Sequence, residues 1–280
     1  TRNVSIGIFY DGNYFFHVSN YYYRAHEKGR RLSIHGLHDF VTNKVAELED
    51  TDPAYCHIVD AHYFRGRISA TEAKERDSLF TERTFEQVLM RERVVTHYLP
   101  LTPMGEKGID VWLALEAFEQ TIHKRFDVLV LIACDGDFIP LVRKLNSLGT
   151  RVMILGWEFR HEDQFKQVRE TVTSATLLEE ATYPMQMHEI IDDPANAESP
   201  LIENMFVERH DFDEIPADIQ PSEKADGTGI VKYINKSLKD GYGYGFITRP
   251  ELKDDLYFYC ADVTGINFDD LKIGDVVEYV

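Results

Sequence analysis

The stretch Val128-Leu129-Val130-Leu131-Ile132-Ala133-Cys134-Asp135-Gly136-Asp137-Phe138 decides the fold. An uncharged apolar run stops abruptly at Asp-Gly-Asp. A strand reads this way when helices cover both faces of a parallel sheet, because no face is left for polar alternation. The start of the chain repeats the arrangement: Val4–Tyr10 is a short apolar run that ends in Asp11-Gly12-Asn13. A third acidic motif, Lys107-Gly108-Ile109-Asp110, opens the helix that leads into Val128. In an open parallel sheet the C-terminal ends of the strands gather at one edge, where ligands bind.

Outward from these motifs, strand-like and helix-like segments alternate. Strands are predicted over Tyr55–Phe64, Val94–Leu99 and Arg151–Leu155. Helices are predicted over Tyr14–His26, His38–Glu49, Thr71–Arg93, Phe138–Leu148 and Asp163–Val172. Val111, Leu115, Phe118 and Ile122 recur at helical spacing. Gly149 is a helix stop. The alternation predicts an α/β fold, a parallel sheet with helices on both faces, through about residue 180.

Residues 185–226 change character, with twelve acidic and two basic residues among four prolines, and read as an acidic linker. They hold more than half of the net charge of −18, a balance unlike that of most nucleic-acid binders. After Gly227, Gly229–Asn235, Tyr242–Thr248, Leu256–Cys260 and Val276–Val280 read as short strands of a small all-β module. No apolar run approaches the ~20 residues that span a bilayer, so no membrane partner is expected. No signal peptide is visible, and the start at Thr1 is read as processing or a boundary set upstream. Cys56, Cys134 and Cys260 are far apart and form no CxxC. They fit a reducing compartment, and a cytoplasmic protein is expected.

Carboxylates gathered at strand ends, with no matching Cys or His set, point to a hard divalent cation and so to phosphate chemistry. Each aspartate alone also has an ordinary structural role: Asp11 in a turn, Asp110 at a helix dipole, Asp137 as an N-cap. Their order and spacing make the set specific. Tyr10-Asp11-Gly12-Asn13, Lys107-Gly108-Ile109-Asp110 and Asp135-Gly136-Asp137-Phe138, followed by Leu141 and Gly149, resemble the NYN domain of the PIN-like metal-dependent ribonucleases. The resemblance covers roughly residues 1–184.

It implies a three-layer α/β/α PIN-like fold, with Mg²⁺ or Mn²⁺ held by Asp11, Asp110, Asp135 and Asp137. Glu116 ranks second, being about 120° round the helix from Asp110. Asn13 would be an adjacent polar partner. The resemblance also implies hydrolysis to a 5′-phosphate and a 3′-hydroxyl. Lys107, Arg65 and Arg67 lie near predicted strand ends, where they are either phosphate contacts or ordinary solvated charges. The aromatic stretch from Tyr14 to Tyr23 is either a base-stacking surface or a core face with surface tyrosines. Where the family often carries Ser-Gly, this chain has Ala133-Cys134.

The C-terminal module resembles a cold-shock domain, which implies an OB-fold barrel that stacks single-stranded bases on aromatic rings. Gly229–Asn235, Gly243–Thr248 and Asp255–Tyr259 carry the resemblance. It makes Tyr233, Tyr244, Phe246, Tyr257 and Tyr259 the stacking candidates. Tyr242, Tyr244 and Phe246 alternate and so share a face. Tyr242 stands where the family usually has Lys, and four strands are legible where five are expected; another segment completes the barrel, or the natural chain continues past Val280. The expected function is a metal-dependent endoribonuclease with single-stranded RNA as partner, a second copy or a protein partner being left open. The rival is a catalytically weak or inactive NYN-fold scaffold that binds RNA.

Overall fold

The computed structural model describes residues 3–75, 79–101, 105–162, 168–207, 226–236, 243–249 and 255–280. They divide into two compact units at Val207/Glu208.

The first unit contains, in chain order, β1 (Val4–Asp11), α1 (Gly12–Arg24), α2 (Ile34–Leu48), β2 (Cys56–Arg67), α3 (Ala70–Glu75), α4 (Leu79–Arg91), β3 (Val95–Pro100), α5 (Ile109–Lys124), β4 (Val128–Ile132), α6 (Ile139–Ser147), β5 (Arg151–Gly156), β6 (Phe159–Glu162), β7 (Val168–Thr171), α7 (Ala175–Glu180), β8 (Tyr183–Gln186), α8 (Met187–Asp192) and α9 (Pro200–Glu203). Six strands form one sheet in the order β3-β2-β1-β4-β5-β8. Every pairing in it is parallel. Alternate residues feed two cores. Ile6, Ile8 and Tyr10 of β1, with Val128, Val130 and Ile132 of β4, face α1 and α2. Phe9, Leu129 and Leu131 face α5 and α6 on the other side. The unit is therefore an α/β fold, and the interiors of its central strands β1, β4 and β5 are mostly buried because each face meets a helix layer.

Local signals set the helices. Asp11 caps α1, and the Ser33 hydroxyl caps α2 by accepting from the Gly36 N–H, so α2 starts four residues before the expected His38. On α5 the buried positions are Ile109, Leu113, Ala117 and Thr121. Val111, Leu115 and Ile122, which mark this helix in the sequence, stay exposed.

The helix expected over Asp163–Val172 is not formed at its C-terminal half. Val168–Thr171 pairs antiparallel with Phe159–Glu162, and residues 163–167 lie outside the described residues. β-branched Val168 and Thr171 suit a strand. Phe159 stacks on Tyr21 at 4.1 Å, which holds the hairpin against α1.

The unit runs past residue 184. β8 adds a strand to the sheet. Met187, Ile191, Ile202, Met205 and Phe206 pack into the core over α1 and α2. The Ser33 N–H donates to the Met205 carbonyl and the Val207 N–H to the Arg31 carbonyl, both at 2.8 Å. The apolar islands of the acidic segment thus belong to this core. The remainder of the expected linker, 208–225, lies outside the described residues.

The second unit is an antiparallel sheet in the order β11-β10-β9-β12. Its strands are β9 (Gly227–Lys236), β10 (Gly243–Thr248), β11 (Leu256–Tyr259) and β12 (Val276–Tyr279). Val231, Ile247, Phe258 and Leu271 form its core. Gly245 is required there: a Cβ would lie 2.5 Å from the Tyr233 carbonyl oxygen and inside the Phe258 ring contact. Tyr242 lies outside the described residues.

Candidate active site

The sheet order reverses between β1 and β4, which are hydrogen-bonded neighbours with Tyr10 opposite Ile132. Connections leave in opposite directions at such a point and open a crevice beyond the strand ends. Asp11 is the last residue of β1, and the turn Gly136–Phe138 follows β4 with Asp135 before it.

The chain turns sharply at both places. Asp11 Oδ1 accepts from the N–H groups of Asn13 and Tyr14, each at 3.1 Å. Gly12 must be glycine, since a Cβ would sit 2.5 Å from the Phe64 carbonyl oxygen and 2.6 Å from the Tyr63 ring. The Tyr63 hydroxyl then donates to the Gly12 carbonyl at 3.1 Å, which locks the start of α1 to β2. Asp135 Oδ1 accepts from the Asp137 N–H at 2.9 Å. Asp135 caps the turn Gly136–Phe138, while α6 starts after Phe138 with no side-chain cap, so the expected Asp137 cap is not made and its carboxylate is left exposed. Gly108, with φ of +83°, caps α5 from the left-handed region without a side chain. Asp110 in the first turn is spared from capping.

These groups form one electrostatic cluster. Burial raises the Asp11 carboxyl to about 6, against hydrogen bonds from Tyr14 and Asn13, and Asp110 and Glu106 push the same way. Asp110 is raised by burial, then by Asp135, Glu106 and Asp137. Cys134 is pushed up to about 12 by burial, then by Asp11 and Asp135, so it stays a neutral thiol. The side-chain charges that raise Asp11 and Asp110 are negative, an arrangement that a bound cation would relieve.

Four of the expected acids gather about Asp110, which raises Asp11 and is itself raised by Asp135 and Asp137. Glu116 is not among them. It accepts from Gln120 Nε2 at 2.8 Å and acts on His97. Glu106 takes its place in the cluster and was not anticipated. Its carboxylate accepts from the Gly66 N–H, and it approaches because Gly66 has no Cβ to block it. The only signal in the sequence was an acid directly before Lys107-Gly108. Asn13 and Lys107 are exposed, and Arg65 is half-buried. The Arg65 guanidinium lies 4.2 Å over the Phe16 ring. Arg67 lies over Tyr98 and pairs with Glu86.

All donors in the cluster are carboxylate oxygens, the type that suits Mg²⁺ or Mn²⁺. Among the described residues, no group of three or more His, Cys, Asp or Glu is already arranged as a finished metal cage. Asp11 and Asp135 are turned toward backbone amides, with one oxygen each left over for another partner.

In the second unit, Tyr233, Tyr244, Phe246 and Tyr257 form an aromatic patch on one sheet face. Tyr244 and Tyr257 are 5.8 Å apart, Phe246 and Tyr257 5.5 Å, and Tyr233 and Tyr244 6.2 Å. Tyr259 lies opposite Tyr244 in the ladder.

No curated protein matches the chain. Among solved structures, a protein of unknown function from Vibrio parahaemolyticus is similar at 19% identity, over 66% of this chain and 94% of that one, with a TM-score of 0.42. The NYN domain model matches residues 5–179, which include every member of the acidic cluster. A match over more than half of the chain shows that it belongs to the NYN domain family, within the PIN-like nuclease superfamily.

Proposed function

We propose that the chain is a metal-dependent endoribonuclease, cutting at the acidic crevice and holding single-stranded RNA on a C-terminal OB-fold of the cold-shock type. The observation that carries this reading is the mutual repulsion among Asp11, Asp110, Asp135 and Asp137 at the switch point of a PIN-like sheet. These four aspartates would hold Mg²⁺ or Mn²⁺. A bound divalent ion neutralises the phosphodiester, acidifies a water and stabilises the leaving oxygen. The protein positions these oxygens: the caps fix Asp11 and Asp135, and the free start of α5 presents Asp110. Glu106 adds negative charge beside Asp11 and Asp110.

The test incubates labelled single-stranded RNA, duplex RNA and single-stranded DNA with Mg²⁺ or Mn²⁺, using wild type and Asp137→Asn. Cleavage of single-stranded RNA that stops with EDTA and is lost in Asp137→Asn is expected. Equal cleavage by both proteins removes the site. Absence of cleavage on every substrate supports a second reading, an RNA-binding scaffold on a nuclease fold, which Ala133-Cys134 favours by placing no hydroxyl before Asp135.

A further inference from the structure

Helix α1 carries a pattern that the acidic cluster leaves unused. Asn13, Phe16, Asn20 and Tyr23 fall at i, i+3, i+7 and i+10. At 100° per residue they form one stripe whose first member, Asn13, follows Asp11, the cap of the helix, by two residues. The other side of α1, with Tyr14, Phe15, Val18 and Tyr22, fills the core. Phe16 is 36% exposed and Tyr23 49% exposed.

Two arginines from elsewhere lie on these rings. The Arg65 guanidinium, from the end of β2, is 4.2 Å from the Phe16 centroid. The Arg31 guanidinium, from the loop before α2, is 4.7 Å from the Tyr23 centroid. Arg31 Nη1 also donates to Asn20 Oδ1 at 2.7 Å, which ties the second ring pair to the stripe. Among the described residues, neither guanidinium has a carboxylate within ion-pair distance. Other cations in this unit do: Lys28 and Arg30 pair with Glu203, Arg67 with Glu86, Lys124 with Asp60 and Arg151 with Glu49. Arg67 gives the sharpest contrast, since it too lies on a ring. A chain with net charge −18 has carboxylates to spare, yet among the described residues these two arginines meet none.

We propose that the stripe is a track for single-stranded RNA, leading the strand along α1 away from the acidic crevice. Phe16 and Tyr23 stack on bases, and Arg65 and Arg31 hold the flanking phosphates. Asn13 and the Asn20 amide N–H groups meet base or sugar edges. The two ring–arginine pairs are roughly 10.5 Å apart along the helix, from seven residues of 1.5 Å rise. Ring stacking tolerates any base, and guanidinium groups suit phosphate, so the track is sequence-tolerant. This inference rests on RNA being the substrate, but its test does not need cleavage.

The experiment uses the full chain carrying Tyr244→Ala and Phe246→Ala, which silences the aromatic face of the second unit, in EDTA so that no cutting occurs. A 4-thiouridine-labelled single-stranded RNA is crosslinked by light and the modified peptide is mapped. Crosslinks within residues 13–23 are expected. Phe16→Leu and Tyr23→Leu should each weaken binding about tenfold. Arg31→Gln and Arg65→Gln should each reduce the slope of log affinity against log salt by about 0.7. Circular dichroism confirms that each variant stays folded. Crosslinks confined to other elements, with unchanged affinity and salt slope, overturn the track. A concentration-dependent dimer lost in Tyr23→Leu, with RNA binding unchanged, overturns it in favour of a second copy of the chain. Failure of wild type to cleave RNA, with crosslinks to α1 retained, would instead overturn the nuclease reading and leave the track standing.

Discussion

The two units put their reactive groups in opposite places. In the first, carboxylates stand at the ends of strands; in the second, rings stand on the face of strands. The cause is the sheet. The parallel sheet is covered on both faces, so Ile8, Phe9, Val130 and Leu131 are buried and the chain becomes free only beyond Asp11 and Ile132. The antiparallel sheet is covered on one face, so Tyr244, Phe246 and Tyr257 remain accessible along the strands while Gly243, Gly245 and Ile247 pack inward. Strand ends converge, which suits a site that focuses charge on one atom. A face is spread out, which suits a surface that reads a flexible chain.

A crossed pair of variants gives the largest expected effects. Asp135→Asn should lower cleavage by more than about a hundredfold and leave single-stranded RNA affinity within about twofold. Tyr244→Ala with Phe246→Ala should weaken affinity by about a hundredfold and leave turnover at saturating RNA within about twofold. If either variant moves both quantities, the division between ends and faces breaks down.

The next effect concerns the strand end alone. Asp11 ionises at about 6 in the folded chain, against about 3.9 when unfolded. The folded state holds this proton more tightly. The stability it contributes is full below about pH 4 and is lost as pH rises to about 6. Asn caps a helix as well as Asp. Asp11→Asn, without metal, should therefore be about 3 kcal/mol more stable than wild type at pH 8 and no more stable at pH 4. Denaturant titrations at the two pH values measure this, and equal stability at pH 8 would mean that the end of β1 carries no unrelieved charge.

The smallest effect is assigned to Glu106→Gln. Gln keeps an acceptor for the Gly66 N–H and removes one charge beside Asp11. The Asp11 carboxyl should titrate slightly lower, as read by carbon NMR. An unmoved midpoint would take Glu106 out of the cluster.

The strands were legible wherever burial was complete. The interiors of β1, β4 and β5 are uncharged runs because both of their faces meet helices, and their order places Asp11 and Asp135 at one edge. Helix faces were less legible. Val111, Leu115 and Ile122 recur at helical spacing, yet the sheet packs against Leu113, Ala117 and Thr121. Periodicity identifies a helix with apolar residues on two sides but not the side that docks. Thr121 can be buried because its hydroxyl donates to the Ala117 carbonyl at 2.7 Å. The hairpin of β6 and β7 read as a helix because its second strand is only four residues long. Glu106 was beyond reach for another reason: its position depends on the bare backbone of Gly66, forty residues earlier.

The β1–β4 ladder has a consequence for how the site assembles. It runs unbroken from Ile6–Val128 to Tyr10–Ile132, whereas the β1–β2 ladder is shifted between Ile6 and Gly7. A slip of one residue in β1 would turn Ile8 and Tyr10 out of one core and Phe9 out of the other, and would carry Asp11 to the wrong side of the turn at Asp135. The hydrogen-bond ladder therefore acts as a gauge. A molecule that has hidden the apolar side chains of β1 and β4 correctly has also set Asp11 beside the turn at Asp135.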